Sequence, residues 1–481
     1  MRVPLSRRDL VSLPLRSLLR RGESRPGPRR NVLFIAVDDL RPKLRYYGDA
    51  YAITPHIDRL ASGGIVFDRA YCQQAVCGPT RASLLTGLRP DTTRVYDLDT
   101  SFRKAAPNAV TLPEHFRLHG YHTECIGKIF HDNAINQDAR SWSVPERFQI
   151  GQRKGDQYAL AASRDASDPA NKGAATESAS VPDEAYIDGR VAADAVTTLA
   201  RLKNQPFFLA VGFRKPHLPF TAPRRYWDLY KRDEVPLARN PYLPRNAAHY
   251  AVPAYSELRS YADIPSQGPL SPDLMRRVIH GYYAATSFCD AQVGKVLAEL
   301  GRLGLAENTV VALWGDHGWH LGEHTHWGKL TNFEICVRAP LILRVPGTRS
   351  GQRSRALVEF VDIFPTLAEA CALDVPAGLE GCSMLPLLAD PDRAWKKAAF
   401  SQFPREAKGG GGPVMGYSVR TDRYRYTEWQ QNGRAVEAEL YDDRDDPDET
   451  RNLAGEAELK RTVADLQQVL SGGWRKATPQ R

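Results

Sequence analysis

The chain has 481 residues, with 42% hydrophobic and 25% charged residues, which suits one large globular domain with a smaller appendage. No apolar run is long enough to cross a bilayer, so the composition excludes an integral membrane protein. The formal net charge is +9, but residues 1–30 hold nine arginines against two acids. The remaining body is nearly neutral, which argues against a nucleic-acid partner.

The basic leader over residues 1–30 contains a twin-arginine pair. Ser6–Leu10 resembles the start of a twin-arginine export signal, but Pro14 and Arg16 interrupt the apolar stretch behind it. The alternative interpretation is a basic, disordered leader that carries no targeting signal. Cytoplasmic and periplasmic locations therefore both stay open.

Two apolar runs are predicted to be buried central strands. Asn31–Val37 is followed by Asp38 and Asp39, and Thr309–Trp314 is followed by Gly315-Asp316-His317-Gly318. In open α/β sheets, ligands bind beyond the carboxyl ends of the strands. The acids and the histidine are therefore expected to meet in one site.

Helices and strands alternate between these two runs, which predicts an α/β fold. Apolar spacing near 3.6 indicates helices over 189–202 and 274–300, and Pro206–Val211 is typical of another buried strand. The polar segment 151–180 is predicted to be an inserted surface loop.

The pattern changes after Pro386, which predicts a catalytic domain over 31–390 and a C-terminal subdomain over 391–481. Short alternating strands and a last helix over 456–470 favour a small antiparallel subdomain; the strands are Tyr417–Arg420, Tyr424–Tyr426 and Glu439–Tyr441. The seven cysteines lack the regular spacing of a disulfide scaffold, and only Cys371 and Cys382 are candidates for a pair.

One cysteine lies in a motif. Cys77-Gly78-Pro79-Thr80-Arg81 precedes a helix that ends near Thr86-Gly87, and a helix N-terminus favours anions. A lone buried cysteine is usually a small hydrophobic residue, but Pro79 and Arg81 at fixed offsets disfavour that interpretation. The motif resembles the signature of the formylglycine-dependent sulfatases, from which Thr80 departs because serine is commoner there.

The resemblance implies an alkaline-phosphatase-like α/β fold, with a mostly parallel central sheet flanked by helices. It also implies that a maturation enzyme oxidises Cys77 to formylglycine, whose hydrate attacks the sulfur of a sulfate ester. One calcium ion per chain, with magnesium as the other candidate, would be bound by Asp38, Asp39, Cys77, Asp316 and His317. Oxygen-rich ligation suits such hard cations.

Further blocks resemble the family's site. By that resemblance, Arg81 would orient the nucleophile, and Lys128 and Lys329 would contact sulfate. His131 would hold or deprotonate the hydrate, and His217 would touch sulfate or protonate the leaving oxygen. Zinc ligation by histidines 320, 324 and 326 is the alternative for that cluster, but their spacing is not a recognised ligand set.

The substrate expected from the resemblance is a sulfated carbohydrate. Segments 206–220, 315–323 and 337–347 resemble the iduronate-2-sulfatase branch of the family, which implies a 2-O-sulfated uronic acid, with Trp319 packing against the sugar. Two alternatives stay open. One is a phosphonate or phosphate monoester hydrolase with the same nucleophile, and the other is a catalytically silent protein that binds sulfated glycans.

Overall fold

A seven-stranded sheet forms the centre of the protein. The computed structural model describes residues 29–148, 150, 154–165, 172–407 and 412–479. The predicted leader over 1–30 lies almost wholly outside these residues. In order across the sheet, the strands are β11 (Gln352–Glu359), β2 (Ile65–Tyr71), β10 (Leu341–Arg344), β7 (Thr309–Gly315), β1 (Asn31–Val37), β5 (Phe207–Phe213) and β3 (His122–Gly127). Strand β10 is antiparallel to both of its neighbours, and the other pairs are parallel.

Within the described residues, the strands are β1 (Asn31–Val37), β2 (Ile65–Tyr71), β3 (His122–Gly127), β4 (Thr176–Ala179), β5 (Phe207–Phe213), β6 (Phe220–Pro223), β7 (Thr309–Gly315), β8 (His320–Leu321), β9 (Trp327–Gly328), β10 (Leu341–Arg344), β11 (Gln352–Glu359), β12 (Ala399–Arg405), β13 (Val414–Arg420), β14 (Tyr424–Gln431) and β15 (Arg434–Asp442). The helices there are α1 (Pro55–Ser62), α2 (Cys77–Thr86), α3 (Pro90–Thr93), α4 (Leu112–Leu118), α5 (Ala161–Asp165), α6 (Ile187–Leu202), α7 (Arg224–Trp227), α8 (Pro272–Arg302), α9 (Glu334–Val337), α10 (Ile363–Ala370), α11 (Leu385–Ala389), α12 (Lys460–Gly472) and α13 (Trp474–Ala477).

The core lies on both faces of the central sheet. Alternate residues of β1 belong to two separate apolar clusters, with Phe34 on one face and Ile35 on the other. Helices α6 and α8 cover the second face, and both predicted helices are therefore confirmed. A strand buried on both faces carries a continuous apolar run, which is why β1, β5 and β7 could be predicted from the sequence.

Strand pairing brings four chain segments to one edge of the sheet. Strand β1 lies between β5 and β7, in register with Val37 opposite both Phe213 and Gly315. Strand β3 lies beside β5, with Gly127 opposite Gly212. The residues that follow these four parallel strands therefore leave the sheet on the same side.

A second sheet lies towards the C-terminus. Strands β12, β13, β14 and β15 are antiparallel neighbours in chain order, and α12 packs on β13 and β14. The predicted small antiparallel subdomain is present. The last helix begins at Lys460 rather than Glu456, because a 3₁₀ turn over Ala457–Leu459 precedes it.

Two expectations need correction, and the C-terminal chain holds one helix that the sequence did not predict. The segment 151–180 is not wholly a loop, since β4 pairs in parallel with β6; residues 151–153 and 166–171 lie outside the described residues. The chain after α12 forms α13, where the Trp474 ring lies under the Arg89 guanidinium. Cys371 and Cys382 are both free thiols. Among the described helices, none is long and apolar enough to span a bilayer.

Candidate active site

The aspartates that follow β1 and β7 are joined by a backbone hydrogen bond. The Asp39 N–H donates to Oδ1 of Asp316 at 2.9 Å, and the His317 N–H donates to the same oxygen at 3.1 Å. Asp39 has a left-handed φ of 57°, a conformation that aspartate tolerates better than most side chains. The structure therefore confirms the prediction that the acids following β1 and β7 lie close together.

Cys77 is the first residue of α2, and it is buried in contact with this acidic edge. Its Sγ lies 3.3 Å from Oδ1 of Asp38, 3.4 Å from Nε2 of His317 and 3.6 Å from Nζ of Lys329. Burial, followed by the charge of Asp38, raises the pKa of the Cys77 thiol well above its usual range. The thiol is therefore protonated at neutral pH.

Arg81 lies one helical turn beyond Cys77 and is fully buried. Its guanidinium donates to Asp316 through Nε and to Asp38 through Nη2, at 3.0 and 3.2 Å. Nη1 donates to the carbonyls of Lys128 and Ile129 at 2.6 and 3.0 Å. One side chain thereby fixes the ends of β1, β7 and β3 relative to α2.

Two lysines neutralise the paired aspartates. Lys128 Nζ lies 2.5 Å from Oδ2 of Asp38, and Lys329 Nζ lies 2.8 Å from Oδ1 of Asp39. Burial raises the pKa of Asp38, but the positive charges of Lys128 and Arg81 outweigh it and keep the pKa well below its usual range. At Asp39, burial and the neighbouring carboxylates outweigh the charge of Lys329 and raise the pKa well above its usual range.

The same residues make up a donor set that could hold a metal ion. The donor atoms of Asp38, Asp39 and Asp316 lie within 4.8 Å of one another, and so do those of Asp39, Cys77 and His317. Three carboxylates and one imidazole form an oxygen-rich set, which fits a hard divalent cation. The predicted ligands are all brought together.

His217 lies at the edge of this cluster. Its Nδ1 is 2.6 Å from the Leu218 carbonyl, so Nδ1 carries the proton and Nε2 faces the site. Nε2 lies 3.8 Å from Oδ2 of Asp39. Burial, followed by the charge of Lys329, lowers the pKa of His217 to about 3, so the imidazole is neutral at pH 7 before any anion binds.

His131 lies beside Lys128. Its Nδ1 is buried and has no hydrogen-bond partner among the described residues. Burial and the charge of Lys128 lower the pKa of His131 to about 3. The imidazole is therefore neutral at pH 7, as a group that accepts a proton must be.

Trp319 does not present a face to a sugar. The side chain is only 1% exposed, and its ring packs beside Phe220 and under the Lys329 ammonium, 5.1 Å from Nζ to the ring centroid. The expected sugar contact is corrected to a contact that supports Lys329. Burial of an aromatic ring depends on segments distant in the chain, which a local pattern does not reveal.

The zinc alternative for the three histidines finds no support. His320 bonds the Glu323 carbonyl and the Thr331 hydroxyl, while His326 bonds the Lys329 carbonyl at 2.7 Å. His324 lies 3.0 Å from the Asp448 carbonyl. These rings are used in hydrogen bonds that shape the loop carrying Lys329.

Sequence reasoning missed Glu257 and gave Lys215 no role. The Glu257 carboxylate lies 3.4 Å from Lys329 Nζ and 3.6 Å from His217 Nε2. No motif marks Glu257, because it lies in a long irregular segment between α7 and α8. Lys215 is buried and donates to the carbonyls of His217 and Pro219, at 3.0 and 2.7 Å, and so shapes the loop around His217. Its place two residues before His217 was the available signal.

The sheet and the buried cluster of acids, lysines and histidines are those of an α/β enzyme whose site suits a metal ion and an anionic substrate. The family model of the sulfatases matches residues 30–372, and a model for the C-terminal part of N-sulphoglucosamine sulphohydrolase matches residues 322–475. The chain is 36% identical to the iduronate 2-sulfatase of Mus musculus over 466 residues, covering 83% of this chain and 84% of that protein. The chain belongs to the sulfatase family and is a sulfuric ester hydrolase.

Solved structures support the alkaline-phosphatase-like fold. A phosphonate monoester hydrolase from Silicibacter pomeroyi matches with a TM-score of 0.78 at 22% identity, covering 94% of this chain and 96% of the other. A structure described as a 2-O GAG sulfatase, BT1596, matches with a TM-score of 0.70 at 23% identity, covering 92% of each chain. At these identities the likeness concerns the fold alone.

Proposed function

We propose that this protein hydrolyses the sulfate ester of a 2-O-sulfated uronic acid in a glycan, with a formylglycine made from Cys77 as nucleophile and with bound calcium. The observation that carries the proposal is the convergence of the acid, imidazole and ammonium groups of Asp38, His317 and Lys329 on Sγ of Cys77, all between 3.3 and 3.6 Å.

The unmodified Cys77 side chain is poorly suited to act as the nucleophile itself. A protonated, buried thiol is a poor nucleophile. A formylglycine hydrate supplies a hydroxyl nucleophile at the position now held by Sγ. His317 and Asp38 are near enough to that position to orient a hydroxyl group.

The donor set also supports calcium over softer metals. The proposed ligands are Asp38, Asp39, Asp316 and His317, with the modified residue 77 as a further one. A divalent cation there supplies positive charge that lowers the pKa of a nearby hydroxyl and offsets the charge of the sulfate group. The three carboxylates face the three cations Arg81, Lys128 and Lys329, so a dication and an anionic ester together leave the site near balance.

The chain's own residues then have distinct tasks. Arg81 holds the strand ends and the aspartates in place, while Lys128 and Lys329 stabilise negative charge that develops on the sulfate oxygens. His131 is proposed to hold or deprotonate the nucleophile. An anionic ester beside His217 would raise its pKa from about 3, which would allow Nε2 to carry the proton that the leaving oxygen needs.

The substrate proposal rests on the relatives. Iduronate 2-sulfatase shares more than a third of the aligned residues, and a 2-O GAG sulfatase shares the fold. The assay compares sulfate release from a 2-O-sulfated uronate disaccharide, 6-O-sulfated glucosamine and an aryl sulfate under one set of conditions. The uronate sulfate should have the highest kcat/KM. Preference for either other sulfate would reject the substrate and leave sulfate-ester hydrolysis standing.

Intact-peptide mass spectrometry over residue 77 tests the nucleophile. Protein made in a host with the maturation enzyme should show formylglycine at residue 77, and protein made without it should show cysteine and no turnover. An active preparation that contains only unmodified Cys77 would reject the mechanism.

The two alternatives make different predictions. A phosphonate or phosphate hydrolase would turn over an aryl phosphonate or phosphate faster than the matching aryl sulfate. A silent glycan-binding protein would bind sulfated oligosaccharides and release no sulfate from any of them, even with residue 77 modified.

A further inference from the structure

A row of charged side chains leads from the nucleophile towards solvent. Lys329 Nζ lies 3.6 Å from Sγ of Cys77 and 3.4 Å from Oε2 of Glu257. Oε1 of Glu257 lies 3.7 Å from Nζ of Lys172. Side-chain exposure rises along the row, from 7% at Lys329 to 14% at Glu257 and 32% at Lys172. The row therefore marks an approach to the site.

Two distant chain segments build the outer part of this approach. Glu257 begins a 3₁₀ turn that ends at Ser260, and Ser256 anchors it by donating to the Trp327 carbonyl at 2.6 Å. The Ala262 N–H donates to the Gly173 carbonyl at 2.9 Å, which holds the chain beside Lys172 against the same turn. Lys172 Nζ lies 5.2 Å from the centroid of the Tyr261 ring.

The Glu257 carboxylate is ionised and has accepting capacity to spare. The ammonium groups of Lys329 and Lys172 lie on either side of it and balance its negative charge. All three cationic or imidazole nitrogens lie 3.4 to 3.7 Å away, beyond the 2.7–3.2 Å of a direct N–H···O hydrogen bond. A carboxylate offers about four lone-pair positions, and a sugar hydroxyl is a suitable donor to them.

We propose that Glu257 and Lys172 form a sugar-recognition subsite next to the sulfate-binding lysine. Glu257 accepts a hydrogen bond from a hydroxyl of the sulfated sugar, and Lys172 pairs with the carboxylate of that sugar. The inference rests on the proposed function and adds the residues that select an acidic sugar. It gives to this pair the role that Trp319, being buried, does not fill.

The subsite explains how one site can favour an acidic sugar although a carboxylate lines its approach. Glu257 repels a second carboxylate from the position nearest Lys329, so that only the sulfate group fits there. Lys172 attracts the carboxylate one position further out. The alternation of lysine, glutamate and lysine therefore fixes which end of a sulfated uronic acid faces the nucleophile.

The test measures kcat and KM of Lys172→Met and Glu257→Gln on three substrates: a 2-O-sulfated uronate disaccharide, its carboxyl-reduced counterpart and an aryl sulfate. For Lys172→Met, the ratio of kcat/KM on the uronate to that on the aryl sulfate should fall about tenfold or more, mainly through KM. The wild type should have a kcat/KM on the carboxyl-reduced sugar that is lower than on the uronate by a similar factor. Lys172→Met should lower kcat/KM on the carboxyl-reduced sugar only slightly further.

Glu257→Gln keeps the size of the side chain but weakens the acceptor. Its kcat/KM should fall on both sugars by a larger factor than on the aryl sulfate. Lys231→Met is the matched control, because Lys231 is an exposed lysine that pairs with Glu234 on the surface. The kcat/KM of Lys231→Met on each of the three substrates should equal that of the wild type. The melting temperature of each variant reports whether it is folded.

The outcomes separate the inference from the proposed function. If Lys172→Met lowers kcat/KM on all three substrates by the same factor, the ratio of kcat/KM on the uronate to that on the aryl sulfate stays unchanged. That result would show that the proposed subsite is wrong. Preference of the wild type for the carboxyl-reduced sugar would overturn it as well. Failure of the wild type to release sulfate from any ester would instead reject the proposed function.

Discussion

At the scale of single residues, the site depends on charges that are buried together. Arg81 is fully buried, yet it meets two carboxylates and two carbonyls, so its donors are used without water. Such a set is stable only when it is complete, because an unpaired buried charge costs several kcal/mol. This explains why one arginine and two lysines from three chain segments, Arg81, Lys128 and Lys329, lie against the same pair of aspartates.

The first prediction concerns Cys77. Replacement by alanine should lower kcat/KM on a sulfate ester by more than roughly a thousandfold, because the proposed nucleophile is removed. The melting temperature should stay near that of the wild type, since Cys77 contributes no charge to the ion pairs around it. A Cys77→Ala variant with more than a few per cent of wild-type activity contradicts the mechanism.

At the scale of elements, close backbone contacts position the site. Gly127 and Gly212 face each other on β3 and β5, and Gly127 has a φ of +76°. A Cβ built on Gly212 would lie 2.0 Å from the Lys128 carbonyl oxygen. The absence of a side chain at Gly212 is therefore what allows Lys128 to lie beside Asp38.

The second prediction is that Gly212→Ala lowers both activity and stability. The clash must displace the Lys128 backbone, so kcat should fall about tenfold or more and the unfolding free energy by roughly 1–3 kcal/mol. Gly301→Ala in α8 is the control, because its Cβ would meet nothing within 4 Å. Chemical denaturation and steady-state kinetics on both variants provide the comparison; equal behaviour of the two would refute the argument.

A buried ion cluster joins the two sheets. Lys396, just before β12, donates to Glu359 and Asp362 at 2.7 Å each, and Glu359 also accepts two bonds from Arg89 at 2.8 Å. The Phe400 N–H of β12 donates to Glu359 at 2.9 Å. The second sheet is thereby attached to the end of β11 by charge as well as by packing.

The third prediction is that Lys396→Met destabilises the protein by about 3–5 kcal/mol, because two buried carboxylates lose their ammonium partner. Lys397→Met changes the neighbouring lysine, which is exposed, and should shift the unfolding free energy by less than about 0.5 kcal/mol. Urea denaturation of the two variants decides; a loss below about 1 kcal/mol for Lys396→Met would contradict the assigned role.

The fourth prediction concerns acid stability. Burial raises the pKa of Glu359, but Arg89 and Lys396 outweigh it and lower the pKa from 4.5 to about 2. Stability from this ionised group is fully present above pH 4.5 and is lost as the pH falls towards 2. The difference in unfolding free energy between the wild type and Glu359→Gln should therefore shrink between pH 5 and pH 3, roughly the span over which an ordinary carboxyl titrates. A difference that is constant or grows over this span would disprove the assignment.

At the scale of the whole molecule, the proposed cation links activity to stability. Its ligands follow β1 and β7, and residue 77 begins α2, so binding would tie three segments of the core together. A ligand that binds only the folded state stabilises it by mass action.

The fifth prediction is that calcium raises the melting temperature and that chelation lowers it. At a calcium concentration 100 times Kd, the folded state should gain about 2.7 kcal/mol. Asp316→Asn should abolish the shift, whereas Asp422→Asn, which alters a surface carboxylate that is 75% exposed, should retain it. Stoichiometric zinc by elemental analysis, or an active preparation free of metal, would reject calcium.

The sequence by itself determined three adjacent strands of the sheet, β1, β5 and β7, and the two long helices, and it named the acids that meet beside Cys77. Buried strands carry continuous apolar runs, and the acids after β1 and β7 had to meet because parallel strands end at one edge. Cys77, Arg81 and the two lysines could be named because they occur in compact motifs.

Only the tertiary structure decided which side chains line the approach to the nucleophile. Trp319 matched a motif but is buried, whereas Glu257 and Lys172 match no motif and lie on the approach. The pairing of β4 with β6 and the free thiols of Cys371 and Cys382 were likewise invisible locally. The physical reason is that exposure and charge pairing are set by segments distant in the chain, which a one-dimensional pattern does not bring together.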